Sequence, residues 1–139
     1  GLGDSKDKFK IVAQQDGGAA LDKSMELAED IITASPDMDA FFCINDPSAL
    51  GAAAAIKAAN KTGKIGVYSI DASPDGKQAL LDDEFTAVAC QVPVQIADYS
   101  FKEAVKYVNG DTKIDEKKVY LDSHLVSKDE AEKTLKEWQ

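Results

Sequence analysis

Short apolar runs alternate with helical stretches along the chain. Four runs have the length and composition of strands, and in the stretches between them apolar residues recur every three or four positions. We predict strands over residues 9–15, 40–44, 64–70 and 85–92, and helices over 21–35, 47–59, 74–82 and 93–107. An extended run over 117–126 precedes a short terminal helix. This alternation indicates βαβ units, so we expect one α/β unit, a mainly parallel sheet flanked by helices.

Several helix starts carry recognisable caps. Asp46 precedes Pro47, and we predict that its carboxylate caps the second helix, because proline suits the first helical position. Ser73 and Pro74 repeat this order before the third helix. Ser127 opens a capping-box pattern before the last one. The run over 40–44 is continuously apolar, so we expect a strand covered on both faces by helices.

Charge and composition exclude some functions. The 139 residues include 16 basic and 25 acidic side chains, a net charge of −9 that would repel nucleic acid. No apolar run approaches the roughly 20 residues of a membrane span. Cys43 and Cys90 each lie inside an apolar run, and we interpret them as small buried hydrophobic residues and not as a disulfide pair.

Motifs for catalysis or metal binding are weak. Asp71 and Asp82 have the spacing of the ends of a calcium loop, but Pro74 between them argues against one. His124 has no partner suggested by a motif, so a surface position is the better interpretation. Trp138 is interpreted as a packing anchor for the last helix. We therefore expect no enzymatic activity, no metal and no cofactor.

Polar side chains follow each predicted strand. Gln15 and Asp16 end the first, Asn45 the second, Asp71 the third and Gln91 the fourth. Carboxyl ends of parallel strands meet at one edge, where ligands bind in open α/β sheets. Amides and carboxylates together both donate and accept hydrogen bonds. The sequence therefore predicts a site for a sugar or similar polyol.

Three residues near these strand ends also have a structural explanation. A cap alone would account for Asp46, and bracing of a loop would account for Asn45. An Asx-turn toward Ser73 would account for Asp71. Gln91 lies in an apolar strand, where a surface role is hard to justify.

Five segments carry a family resemblance: IVAQQDGG (11–18), SPDMDAFFCINDPSALGAAAAIKAA (35–59), IDASPDGKQAL (70–80), AVACQVPVQIA (87–97) and LVSKD (125–129). Together they resemble the periplasmic binding protein superfamily of ribose-, galactose- and xylose-type receptors. Its fold is shared with the effector domains of lac-repressor-like regulators. The resemblance covers nearly the whole chain and implies a type I lobe, which is flavodoxin-like or Rossmann-like.

The resemblance also implies a set of ligand contacts. In that family the residues matching Asn45, Asp71 and Gln91 contact sugar hydroxyls. Two positions depart from the ribose receptors, which look to have aromatic residues where Ala19 and Ile70 stand. Those rings would face the apolar side of a sugar, so a ribose-like ligand is in doubt and a larger or acyclic one gains support.

Family members look about twice as long, with two lobes that close on the ligand. The chain therefore resembles the C-terminal part only, and residues 93–127 are expected to cross to the other lobe. A fragment lacking the N-terminal lobe and the strand that opens its own lobe would be incomplete. We expect that lobe, or a second copy of the chain, to pair with it.

The resulting hypothesis is the extracytoplasmic solute-binding component of an ABC transporter, periplasmic or lipid-anchored, which delivers a sugar or polyol to a permease. The alternative is the inducer-sensing effector domain of a lac-repressor-like transcription regulator. An α/β enzyme would need a nucleophile or cofactor loop that the motifs do not provide.

Overall fold

A computed structural model of the chain describes residues 8–111 and 118–137. The elements in chain order are α1 (Leu21–Ala34), β1 (Ala40–Phe42), α2 (Asp46–Ala58), β2 (Gly66–Asp71), α3 (Pro74–Leu81), β3 (Ala87–Cys90), α4 (Pro93–Val108) and α5 (Lys128–Lys133). All five predicted helices are present, and the four with predicted bounds begin and end within one residue of them. Trp138, predicted to anchor the last helix, and residue 117, the first of the predicted extended run, lie outside the described residues.

The three strands form one parallel sheet in the order β1-β2-β3. Phe42 lies opposite Tyr68 in the first pair, and Asp71 lies opposite Cys90 in the second. The chain returns beside β3 near residue 125, where one antiparallel bridge joins Ala89 to Leu125. The predicted α/β class with a mainly parallel sheet is confirmed.

The core lies between one face of the sheet and helices α2 and α3. Val67 and Val88 point into it from the strands and are almost fully buried. The alanine-rich α2 supplies small side chains that permit close approach to its neighbours, as its composition predicts. Gly51 is required where α1 crosses α2, because a Cβ there would overlap the carbonyl oxygen of Leu21.

In the described part of the chain the other face of the sheet is exposed, and the prediction that helices cover both faces of residues 40–44 is wrong there. Phe42 is 74% exposed and Ile44 is 65% exposed, whereas Cys43 between them is buried. Tyr68, the register partner of Phe42, is also exposed. The described helices in contact with the sheet are α2 and α3, and the buried strand residues Val67 and Val88 alternate with the exposed ones, so one face alone is covered.

The predicted strand over residues 9–15 is also wrong. Within residues 8–111 this segment has no strand pairing, and Phe9, Ile11 and Val12 are exposed. An apolar run becomes a strand only when a neighbouring strand takes up its backbone donors and acceptors. No such pairing reaches the free edge of β1 among the described residues.

A buried lysine joins the last helix to the core. Lys77 on α3 is 0% exposed, and its Nζ donates to the carbonyl oxygens of Thr134 at 2.9 Å and Glu137 at 2.7 Å. These carbonyls lie directly after α5. The lysine thus ties the end of the chain that follows α5 to α3.

Candidate ligand-binding site

Three of the predicted site residues lie at the carboxyl ends of the three strands. Asn45 follows β1, Asp71 is the last residue of β2, and Gln91 comes directly after β3. Because the strands are parallel and adjacent, these ends share one edge of the sheet. Asn45 and Asp71 are half-buried, and Gln91 is exposed.

Hydrogen bonds join Gln91 to Asp71, and Asp71 to the backbone of the residue after Asn45. Nε2 of Gln91 donates to Oδ1 of Asp71 at 2.6 Å. The backbone amide of Asp46 donates to Oδ2 of the same aspartate at 3.3 Å. Nδ2 of Asn45 donates to the carbonyl oxygen of Ala19 at 3.2 Å, which connects the edge to the loop before α1. The structure thus brings Asn45, Asp71 and Gln91 together.

Asn45, and not Asp46, is the N-cap of α2, so the predicted cap is wrong. Asn45 is extended, with φ −158°, and its Oδ1 accepts from the amide of Ser48 at 3.1 Å. The helix begins at Asp46, which places Pro47 in the second helical position and moves the cap one residue earlier than predicted. Asn45 therefore braces the helix start as well as facing the edge.

Asp46 is buried directly beneath the edge. It is 1% exposed, and its Oδ1 accepts from the hydroxyl of Ser69 at 2.6 Å. Its Oδ2 accepts from both the amide and the hydroxyl of Ser73, at 2.8 Å and 2.6 Å. Its partners are more than 20 residues away in sequence, so no local motif could have revealed this role.

Asp71 is held by distant residues and not by the Asx-turn that its sequence allows. Its two oxygens accept from Asp46 and Gln91. Burial raises the pKa of its carboxyl, and the charge of Asp46 adds to this, while the two hydrogen bonds oppose it. Its φ of 129° and that of Ala72, 56°, are positive, an uncommon and strained geometry for residues other than glycine.

Gln15 and Asp16 lie in the loop before α1 and stand apart from the other three. Oδ1 of Asp16 accepts from the amide of Gly18 at 2.8 Å, which is an Asx-turn. Gln15 is exposed. Among the described residues, neither side chain is hydrogen-bonded to Asn45, Asp71 or Gln91, so a ligand role for this pair remains a prediction.

The edge can offer both donors and acceptors to a polar ligand. The Gln91 side chain retains its carbonyl oxygen and one N–H, and each oxygen of Asp71 can accept a further hydrogen bond.

Within the described residues, no group of three or more His, Cys, Asp or Glu could hold a metal. A cleft of about 290 Å³ beside Lys64 and Thr86 lies at the opposite ends of the strands.

Comparison with known proteins identifies the family. Residues 2–112 match the family model described as periplasmic binding protein domain. The chain belongs to the periplasmic binding protein family. The ribose import binding protein of Salmonella typhimurium is 34% identical over 104 residues, which are 75% of this chain and 35% of that protein.

Solved structures of the family agree with the fold. A galactofuranose binding protein superposes with a TM-score of 0.82 at 32% identity, covering 91% of this chain and 44% of that one. The Caulobacter myo-inositol binding protein gives a TM-score of 0.84 at 26% identity, covering 95% and 45%. The chain thus spans less than half the length of these relatives, as the resemblance in its sequence implies.

The comparisons bear on function at a coarse level. These members of the family are solute-binding proteins and not enzymes. No helix among the described residues has the length and apolar character that crossing a bilayer requires.

Proposed function

We propose that the chain is part of the extracytoplasmic solute-binding component of an ABC transporter and that it binds a sugar or polyol in a cleft between two lobes. Asn45, Asp71 and Gln91 contact the ligand hydroxyls, and Gln15 and Asp16 form the rim of the cleft. The bound solute is then delivered to a permease. No chemistry on the ligand is part of this function.

The observation that carries this proposal is the hydrogen-bonded edge itself. Three polar side chains from three successive strands meet where ligands bind in parallel sheets. A polyol needs donors and acceptors in alternation, and two amides with a carboxylate supply both. The named relatives bind ribose, a galactofuranose and myo-inositol, which supports a polyhydroxylated ring as the ligand class.

The transport role is favoured over the regulator alternative by the relatives. The relative from Salmonella typhimurium is an import binding protein. Cell fractionation of the full-length protein in its source organism separates the two. Recovery outside the cytoplasmic membrane supports the transport role, and recovery with DNA in the cytoplasm contradicts it.

We further propose that the bare sheet face and the free β1 edge are covered by the rest of the full-length protein. Phe42, Ile44 and Tyr68 form an exposed apolar surface there, of the kind that marks an interface. The chain covers only 44–45% of the two solved relatives named above, so the full-length protein has ample polypeptide to cover this surface. Residues 93–127 would cross to the other lobe. The helix α4 lies within these residues and contains no buried residue, which supports the crossing.

The proposal is tested by isothermal titration of the full-length receptor with D-ribose, D-allose, D-galactose and myo-inositol. We expect one of them to bind. Asn45→Ala, Asp71→Ala and Gln91→Ala should each weaken that binding by roughly tenfold to 100-fold, since hydrogen bonds to a ligand contribute about 1 to 3 kcal/mol.

Gln78→Ala is the matched control. Gln78 is an exposed glutamine whose Nε2 donates to Asp82 at the end of α3. It should bind the sugar like the wild type. Binding of no polyol, or equal losses in Gln78→Ala and Gln91→Ala, would contradict the proposal.

A further inference from the structure

The carboxylate of Asp46 contacts both sides of the segment that presents Asp71. Ser69, before that segment, donates to Oδ1 at 2.6 Å, and Ser73, after it, donates to Oδ2 through its amide and its hydroxyl. One buried side chain of α2 thus fixes the end of β2 and the start of α3. The residues between those two serines include Asp71 itself.

The segment held in this way is strained. Asp71 and Ala72 both have positive φ, 129° and 56°. Such conformations are unfavourable for residues other than glycine and persist only where the surroundings enforce them. Three hydrogen bonds to a buried carboxylate are the enforcement that the structure provides. Without them, the segment would relax toward ordinary backbone angles and turn the Asp71 carboxylate away from the edge.

The backbone of Asp46 acts on the same residue. Its amide lies in the first turn of α2 and donates to Oδ2 of Asp71. Asp46 therefore holds Ser69 and Ser73, on either side of Asp71, through its side chain and the carboxylate of Asp71 through its main chain. Nε2 of Gln91 donates to Oδ1, the other oxygen of that carboxylate, at 2.6 Å.

The local structure holds the Asp46 carboxylate in place from the side of α3 as well. The hydroxyl of Ser73 donates to Asp46 while it accepts from the amide of Gly76, so the carboxylate rests against the start of α3. Negative charge is stabilised at a helix N-terminus. The absence of a side chain at Gly76 provides the space for this carboxylate, since a Cβ there would overlap Oδ2 of Asp46.

We infer that Asp46 is a positioning residue for ligand binding: it never touches the ligand but fixes the direction in which Asp71 meets it. This inference rests on the proposed function. It goes beyond it by assigning part of the affinity to a residue that the ligand cannot reach.

The test is a double-mutant cycle in the full-length receptor, with the sugar that binds best in the panel above. Asp46→Ala should weaken binding by roughly tenfold to 100-fold, as do other changes in residues that orient a binding side chain. Asp46→Asn keeps the volume and one acceptor, so it should lose less. In the Asp71→Ala background, Asp46→Ala should change the affinity by no more than about twofold, because the residue it positions is gone.

Lys77→Met is the matched control for general destabilisation. Lys77 is equally buried on α3 but faces Thr134 and Glu137, away from the edge. It should lower Tm and leave the sugar affinity unchanged. If Asp46→Ala weakens binding equally with and without Asp71, or if Lys77→Met weakens binding as much as Asp46→Ala does, the inference is overturned.

A second readout needs no ligand. Hydrogen exchange of the amides of residues 71–73 in the free receptor should be faster in Asp46→Ala and unchanged in Lys77→Met. If the wild-type receptor binds no sugar, the proposed function fails and this measurement alone decides the positioning role. Unchanged exchange in Asp46→Ala would overturn the inference.

Discussion

Gly76 lies against the buried carboxylate of Asp46 so closely that a methyl group on its α carbon would overlap Oδ2. The two residues belong to different helices, α3 and α2, and the serines of β2 and of the α3 cap complete the contact. A glycine inside a helix normally costs about 1 kcal/mol relative to alanine. At this position the glycine leaves room for the carboxylate of Asp46, on α2, to contact the start of α3.

We therefore predict that Gly76→Ala lowers the free energy of unfolding by about 1 to 3 kcal/mol, because overpacking against a buried carboxylate outweighs the better helix propensity of alanine. Urea unfolding followed by circular dichroism measures the change. In the Asp46→Ala background the obstacle is gone, and the same substitution should be neutral or stabilising. A loss of equal size in both backgrounds would show that Asp46 is not the cause.

Asp71→Asn is predicted to act in opposite directions on stability and on binding. Burial raises the pKa of the Asp71 carboxyl, so its contribution to stability is complete below about pH 3.8 and is lost as the pH rises through the raised pKa. An asparagine stays neutral. It can keep both hydrogen bonds if the Gln91 amide turns over, since its oxygen accepts from Asp46 and its nitrogen donates to Gln91.

Thermal unfolding from pH 3 to pH 8 measures this effect. Tm of Asp71→Asn should equal or exceed that of the wild type at pH 7, with the difference shrinking on acidification, while sugar affinity falls. Asp129→Asn is the control, because Asp129 is an exposed partner of Lys133. A Tm for Asp71→Asn well below the wild type at pH 7 would contradict the prediction.

Lys77→Met is predicted to release the last helix. The substitution removes two hydrogen bonds from a buried ammonium to Thr134 and Glu137, each of which contributes about 1.5 to 3 kcal/mol. We expect the free energy of unfolding to fall by about 3 kcal/mol or more, with faster hydrogen exchange in α5. Lys133→Met, which breaks only an exposed pair with Asp129, should change stability by less than about 0.5 kcal/mol. Equal effects of the two substitutions would count against the role of Lys77.

Both cysteines are predicted to be unreactive in the folded protein. Cys43 and Cys90 are free and buried, and burial raises the pKa of Cys43 to about 11. At pH 8 roughly one Cys43 side chain in a thousand is then a thiolate, the reactive form. Iodoacetamide with mass spectrometry should label neither thiol in native protein and both in urea. Labelling of Cys43 under native conditions at pH 8 would refute this.

The same shift gives a pH dependence at the alkaline end. The folded-state pKa of Cys43 lies above its ordinary 9.0, so its contribution to stability is complete below pH 9 and is lost as the pH rises toward 11. Cys43→Ser should reduce the loss of Tm between pH 8 and pH 10.5. An unchanged slope would show that Cys43 is not responsible.

The 139-residue chain on its own is predicted to bind the sugar at least about 100-fold more weakly than the full-length receptor. Its polar edge is open to water, and contacts from a second lobe with closure would be absent. Titration of both proteins with the same sugar measures the ratio, and light scattering gives the mass of the short chain in solution. Equal affinity for a monomeric short chain would contradict a cleft between two lobes.

The sequence was sufficient for the elements whose signals are local. The order of the five helices and of the three observed strands, the caps at Ser73 and Ser127, and the polar residues after those three strands follow from periodicity and from short motifs. Asn45, Asp71 and Gln91 were predicted to meet at one edge because parallel strands require it, and they do.

The rest depended on partners far apart in the chain. Asp46 was taken for a cap because its true partners, Ser69 and Ser73, lie on other elements. Lys77 could not be recognised as buried, since its partners are backbone carbonyls 57 and 60 residues away. The run over 9–15 has the composition of a strand, but composition cannot tell whether a neighbouring strand is there to pair with it.

The turn at Val92 has a mechanical consequence. Val92 has φ 48° and ψ 52°, a left-handed geometry that is uncommon for a β-branched residue, and α4 starts at the next position. The helix has 16 residues and is about 24 Å long at 1.5 Å per residue. A rotation of about 30° at this one residue would carry its far end about 12 Å sideways. A small change in the two backbone torsion angles of Val92 would therefore redirect the whole helix.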